Sequence, residues 1–488
     1  MAGSSPHDVL FKGATVVSMD SKIGVVHNCD ILVQGNTIAK VQPNIDVKEY
    51  SGAEIINAEN SIVSPGFVDG HHHMWQQLLR SLATDWSLAD YLYVMRRCYG
   101  SLYTPEDVYV ANHVAALDLI HNGVTTVVDH CHILNSPAHT DAAIRGLKDA
   151  AIRGVWCYGF YDNPALPKEH NKFDVTNSEF GASAKMKDAR RARKEHFSTT
   201  NSWETDLLTF GVAPYEAETM PMSELQEQIK LGRELQATII TAHVAVGHYD
   251  AGNQIVKQLG DAKMLGPDLL FSHGSAFTDE ECHMLAQTKA GVVSTPDTDL
   301  QMGMGHSVAF RAEGHGCRVG LGIDITSNQS NDMLVQMRLL LQAERSLDNA
   351  KLGTAPMEIK RKSHEVLRMA TLGGAEAMGI GHLVGSITPG KRADLIMVKC
   401  DDINVVPVID PIGTLIFNAH PGNIDLTMID GKILKKDGKL VHADWGKMRD
   451  DVRARTTRLV EAGRIILGKN NFATTSTMAD FGDYLDAL

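Results

Sequence analysis

Residues 63–73 read VSPGFVDGHHH, a short apolar run that closes on three consecutive histidines. In an extended strand, residues i and i+2 point to the same side. His71 and His73 therefore aim two imidazoles at one point, while His72 faces away. That is metal-ligand geometry, although an isolated HxH also arises by chance in histidine-rich turns. Its meaning depends on how the surrounding chain is organised.

From about residue 62 to 375 the chain alternates brief apolar strands with longer helical stretches, the pattern of βα units around a parallel sheet. The strands are VSPGFVDG, VTTVVDH, GVWCYGF, LLTFGVA, TIITAH, LLFSH, GVVST and VGLGID. Eight of them predict a closed (β/α)₈ TIM barrel. The alternative, an open doubly wound sheet, predicts a glycine-rich phosphate turn after an early strand, and neither GxGxxG nor GxxxxGK[ST] occurs there. Barrel enzymes place their chemistry where the βα loops converge, at the C-terminal strand edge. His243, His273 and Asp324 close the fifth, sixth and eighth strands, at the same level as the HxH of the first. One such residue alone suits a satisfied core polar group. Five converging at one barrel mouth suit one divalent metal, Zn²⁺ or Fe²⁺, with an open position for water.

The flanks differ. DVLFKGATVVSMD and CDILVQGNTIAKVQ near the start, with Gly35-Asn36 as a hairpin turn, and GSITPGKRADLIMV and IDLTMIDGKILKKDGKLV near the end all read as strands. The economical packing is a composite β-sandwich from residues 1–63 and 376–445, with the barrel at 64–375 between them. Residues 446–488 form a C-terminal extension whose KMRDDVRARTTRLVEAGRIIL has helical spacing and suits a surface or subunit-contacting helix. A basic stretch, KMKDARRARKEHF, lies within 161–206; it reads as a solvated helix face before it reads as an anion-binding lid.

Composition narrows the function. Among 488 residues, Asp and Glu outnumber Lys and Arg by 59 to 46, a formal charge of −13, which argues against nucleic acid or an anionic membrane surface as partner. The cysteines Cys29, Cys98, Cys131, Cys157, Cys282, Cys317 and Cys400 show no CxxC pair, so reduced buried thiols are expected. With no signal-peptide pattern and no long apolar run, a soluble cytoplasmic protein is expected.

PGFVDGHHH with the following LLRSL, NGVTTVVDH, the strand-ending His243 and His273, GLGID with NDM, and GSITPGKRADLIMV together resemble the amidohydrolase superfamily across almost the whole chain. More narrowly, the chain resembles the branch of atrazine-chlorohydrolase-type enzymes and guanine, cytosine and S-adenosylhomocysteine-type deaminases. The resemblance implies the barrel, the sandwich, a homodimer or larger assembly, and one divalent metal on His71, His73, His243 and Asp324. It also implies that His273 binds or orients the attacked atom. Two positions depart from the family pattern. The fourth strand, LLTFGVAPYE, lacks the lysine of binuclear members, which points to a single metal, and Val246 stands where deaminases of this branch carry the glutamate of HxxE.

A divalent metal lowers the pKa of its water from 15.7 to roughly 7 and so supplies hydroxide at neutral pH. Asp324 is then expected to take the water proton and return it to the leaving group, while His273 polarises the attacked group. The expected function is hydrolysis of a non-peptide C–N bond, by deamination or cyclic amide or amidine cleavage, in a small heterocyclic substrate. Hydrolytic dechlorination, decarboxylation and a catalytically silent binding barrel are the alternatives. Trp75, Gln76, Tyr158, Tyr215, Asp297, His306 and Asn328 are the candidate substrate contacts, with Phe160, Asp299 and Asn331 nearby. His72, His248, Asp297 and His306 are candidates to replace the glutamate missing at Val246.

Overall fold

The computed structural model describes residues 8–163, 180–250 and 252–467. The first strands are β1 (Val9–Val17), β2 (Val25–Gln34), β3 (Thr37–Gln42), β4 (Glu54–Asn57) and β5 (Ser61–Pro65). The next eight are β6 (Phe67–His72), β7 (Val124–Cys131), β8 (Arg153–Gly159), β9 (Leu208–Ala213), β10 (Ile240–Val244), β11 (Leu269–His273), β12 (Gly291–Ser294) and β13 (Arg318–Leu321). They form a closed barrel of parallel strands, completed where Leu321 of β13 pairs with Asp69 of β6. Helices such as Pro105–His121, Pro137–Ala150 and Met333–Ala350 alternate with them. Each barrel strand coincides with one of the eight apolar runs, because a strand covered on both faces must be apolar throughout.

The last strands are β14 (Leu395–Lys399), β15 (Ile424–Ile429), β16 (Lys432–Lys436) and β17 (Lys439–Leu440). They join the first five in one mixed sheet, since β14 runs antiparallel to β5 with Met397 opposite Val63. Phe11, Ile31, Val63, Leu395 and Met428, drawn from both ends of the chain, share a core. The sheet divides at β1, whose first half pairs with β4 and whose second half pairs with β5. Irregular register between Phe11 and Ala14 and a φ of +75° at Gly13 re-aim the strand there. The expected Gly35-Asn36 turn joins Gln34 to Thr37 in the β2–β3 hairpin.

A buried ion pair ties the sheet to the barrel floor. Arg153, at the start of β8, reaches Asp394 at 2.7 Å and Asp430 at 2.8 Å. The basic stretch forms helix Ala182–His196, and two of its cations are engaged within the fold. Lys185 is buried and donates to the Leu134 carbonyl, and Arg193 donates to the carbonyls of Leu235, Ser198 and Thr199. That removes these two cations from an anion-binding lid; residues 164–179 of the segment lie outside the described residues.

The helix Trp445–Leu467 lays Leu459 against its own barrel, and Arg455 and Arg458 pair with buried Asp107. One face expected at the surface or at a subunit contact is thus occupied within the chain, and residues 468–488 lie outside the described residues. All seven cysteines are buried and unpaired. Among the described residues, no helix is long and apolar enough to cross a membrane.

Candidate metal centre and pocket

The end of β6 projects His71 and His73 to one side, with ring centroids 4.8 Å apart, while His72 turns to Asp69 at 2.9 Å. His243 from β10 lies 5.0 Å and His273 from β11 lies 5.3 Å from the His71 ring. Asp324, just past β13, places Oδ1 3.3 Å from Nε2 of both His71 and His73. Ligand atoms of His71, His73 and His243, and those of His71, His273 and Asp324, lie within 4.8 Å of one another in each group. Close strand approach makes this possible: a Cβ on Gly322 would stand 2.9 Å from the His71 carbonyl oxygen. Asp324 and His273 adopt left-handed φ of +73° and +74°, costly for residues with a Cβ and typical of functional sites.

Each imidazole uses Nδ1 on a protein partner. His71 meets Ser272 Oγ at 2.8 Å, His73 the His130 carbonyl at 2.7 Å, and His243 the Glu216 carboxylate at 2.9 Å. His273 meets Thr295 Oγ1 at 2.9 Å and Asp299 at 3.1 Å. A ring that donates through Nδ1 keeps its Nε2 lone pair for a metal. His71 Nε2 is sealed from solvent with no hydrogen-bond partner, an expensive arrangement that a coordinated cation relieves. The donor set thus fits a divalent ion of the Zn²⁺ type.

Burial pushes the His71 pKa down to about 3, and burial and the neighbouring His71 hold His73 well below its ordinary value, so both present neutral rings. At Asp324 burial works against charging, yet the facing His71 imidazole, 3.3 Å away, and the other histidines around it hold its carboxyl well below the usual range. At His273 burial opposes protonation, but Asp299 outweighs it and raises the pKa.

A cavity of about 180 Å³ opens over this centre, bounded by His73, His243, His273 and Asp324 at its base. None of the seven candidate substrate contacts lines it. Trp75 is buried and donates Nε1 to His132 Nδ1 at 2.8 Å; Gln76 is buried against Tyr91 and Ser327. Tyr158 donates to Asp188, Tyr215 packs at a tilt against Tyr161, and Asp297 accepts from Gln301. His306 is exposed, and Asn328 holds buried amide atoms away from the wall. Aromatic side chains that follow strands were drawn into core packing because their area is worth more there. Of the nearby candidates, Phe160 is buried, Asn331 reaches Asp118, and Asp299 orients His273.

The wall is instead built from Tyr91, Arg96, His132, Glu218, Val246 and Tyr249, among others. His132 stacks on His73 with centroids 4.0 Å apart. It belongs to a second HxH, His130 and His132, at the end of the second barrel strand, so the spacing that exposed His71 and His73 was available for it too. Glu216 and Glu218 show the same i, i+2 spacing after the fourth strand. Burial, with a hydrogen bond that the protonated Glu218 carboxyl donates to Asp250, raises the Glu218 carboxyl to about 8, although the Ala245 amide donates to it.

The sequence profile of the amidohydrolase family matches residues 62–434. The chain belongs to the amidohydrolase family. It is 26% identical over 462 residues to a 5-methylthioadenosine/S-adenosylhomocysteine deaminase of Symbiobacterium thermophilum, covering 93% of this chain and 99% of that protein. A deaminase of the same name from Thermococcus kodakarensis is 29% identical, over 84% of this chain and 90% of that protein. Among solved structures, a zinc-bound adenosine deaminase from Xanthomonas campestris superposes with a TM-score of 0.79 at 21% identity, over 94% of this chain and 100% of that one. The zinc complex of an atrazine chlorohydrolase from Arthrobacter aurescens gives 0.76 at 21% identity, over 93% and 100%. This amidohydrolase is a metal-dependent hydrolase of carbon–nitrogen bonds other than peptide bonds.

Proposed function

We propose that the protein is a mononuclear zinc enzyme that hydrolytically deaminates a small nitrogen heterocycle. The observation that carries this reading is the set of four imidazoles, each with Nδ1 engaged by a protein partner and Nε2 free for the centre, completed by Asp324. The fourth strand offers no lysine to bridge a second ion, which supports one metal. A bound divalent ion would acidify a water and supply the nucleophile. His71, His73, His243 and Asp324 would hold it.

Asp324, ionised in its imidazole cage, accepts the proton of the attacking water and passes it to the departing nitrogen. His273, held by Asp299 and Thr295, donates a hydrogen bond to the group at the attacked carbon. Val246 makes the wall apolar where the branch carries a glutamate, and Glu218 supplies a carboxyl from the loop after β9. Its proton, retained to about pH 8, is available to the ring nitrogen as the ring loses aromaticity. A dry cavity of roughly 150 Å³ accommodates a benzene, so about 180 Å³ suits one ring with a small substituent. The relatives named as deaminases support release of ammonia over opening of a cyclic amide.

The test combines elemental analysis of the purified protein with ammonia release from a panel of aminopurines, aminopyrimidines and aminotriazines. About one zinc per chain and ammonia from at least one amine are expected. Two metals per chain, or cleavage of cyclic amides with no ammonia from any amine, overturns the reading.

A further inference from the structure

Arg96 has no part in the chemistry above, yet it lines the same cavity. It sits in Tyr91–Tyr99, a stretch wound as a π-helix, a geometry that costs hydrogen-bond quality and recurs at functional sites. The side chain is 7% exposed. Nη1 donates to the His132 carbonyl at 3.2 Å, and the guanidinium lies 4.9 Å from the centre of the Tyr161 ring. A guanidinium carries five N–H donors, and among the described residues this is the hydrogen bond it makes. Among the described residues no carboxylate stands within ion-pair distance of it.

A cation this buried is costly without a counter-charge. The two carboxylates closest to the chemistry are committed elsewhere: Glu216 accepts from His243 Nδ1, and Asp324 faces His71 and His73. Of the remaining lining, Leu88, Leu92, Val246 and Ile325 are apolar, and the Glu218 carboxyl accepts from the Ala245 amide and from Asn253. A ligand entering the cavity can supply the partner that the described residues do not. A planar fork stacked on an aromatic ring is suited to the two oxygens of a carboxylate.

We propose that Arg96 receives a carboxylate of the substrate, so that the ring accepted by this site carries an anionic group on the side remote from the metal centre. The inference rests on reading the cavity as the site of a heterocyclic amine. It turns the substrate class from neutral heterocycles to amino-heterocycle carboxylates, and makes Arg96 the residue that selects them.

Binding can be tested apart from turnover with three ring-sized probes: benzoate, neutral benzamide and cationic benzamidine. Calorimetry is run on the zinc-loaded and the metal-stripped protein, because benzoate could also bind a metal directly. Benzoate is expected to bind the wild type about tenfold or more tightly than benzamide in both forms, with benzamidine weakest. Arg96→Gln should abolish the benzoate preference, and Arg96→Lys, which keeps the charge but not the fork, should retain a part of it. An unchanged melting temperature of Arg96→Lys keeps the comparison valid should Arg96→Gln fold poorly. A benzoate preference that vanishes on metal removal, persists in both variants, or gives way to benzamidine overturns the proposal. Deamination can fail separately: benzoate captured by Arg96 in a protein that releases no ammonia refutes the proposed reaction and leaves this site standing.

Discussion

Replacing Glu216 separates the support of a ligand from the ligand itself. Glu216 accepts the Nδ1 proton of His243 at 2.9 Å, and nothing else in the site fixes that ring as firmly. Burial opposes ionisation of Glu216, but the charge and hydrogen bond of His243, with Arg96 nearby, keep its carboxyl below the usual range. The bond is therefore charge-assisted. Such bonds contribute about 1.5–3 kcal/mol, against about 1 kcal/mol for neutral ones. Glu216→Gln keeps an acceptor and loses the charge, a deficit of about 1 kcal/mol, or roughly fivefold in zinc affinity. Glu216→Ala leaves the His243 N–H without its acceptor, and the full contribution corresponds to roughly 10–150-fold. Tyr161 OH, already 3.3 Å from Nδ1, offers a poorer substitute and draws the loss toward the lower end. Competition with a chromogenic zinc chelator measures the series. Wild-type affinity in Glu216→Ala, or a larger loss in Glu216→Gln than in Glu216→Ala, refutes the assignment.

Asp324→Asn should lower kcat by about 10²–10⁴-fold while zinc stays measurable by elemental analysis; normal turnover would remove Asp324 from proton transfer. Because Glu218 holds its proton until about pH 8, activity should decline as pH rises through that value. Glu218→Gln should have a lower plateau without that descending limb, and an unaltered pH profile would dismiss Glu218 as the proton donor. Arg153→Met strands buried Asp394 with one backbone donor, the Asp430 amide at 2.8 Å. Urea denaturation should show a cost of about 3–5 kcal/mol. The double variant Arg153→Met/Asp394→Leu should recover part of that cost; a double variant no more stable than the single one would show that a stranded carboxylate is not the cause.

The barrel was legible because its strands are covered on both faces and must read as unbroken apolar runs, each ending at the layer where loops carry chemistry. The convergence of His71, His73, His243, His273 and Asp324 followed from that register alone. The substrate wall was not legible in the same way. Trp75, Tyr158 and Tyr215 lie at or beyond strand ends, whereas Tyr91 and Tyr249 lie in short helical turns, and local pattern does not tell which side chain turns inward. The structure shows the first group engaged with His132, Asp188 and Tyr161, and Tyr91 and Tyr249 at the cavity.

The missing glutamate illustrates the same boundary. Val246 marks a gap in the fifth-strand motif that can be read from sequence, but the carboxyl that faces the cavity comes from Glu218, 28 residues earlier, through a loop whose path no local pattern dictates. Sequence alone determined the barrel, the composite sheet and the donor set of the candidate metal centre, because periodicity and strand register are local and repeat. Tertiary structure alone decided the pocket wall, the engagement of Nδ1 in each of the four imidazoles and the absence of a carboxylate beside Arg96 among the described residues, because these depend on which loops meet in space and how each side chain resolves its burial.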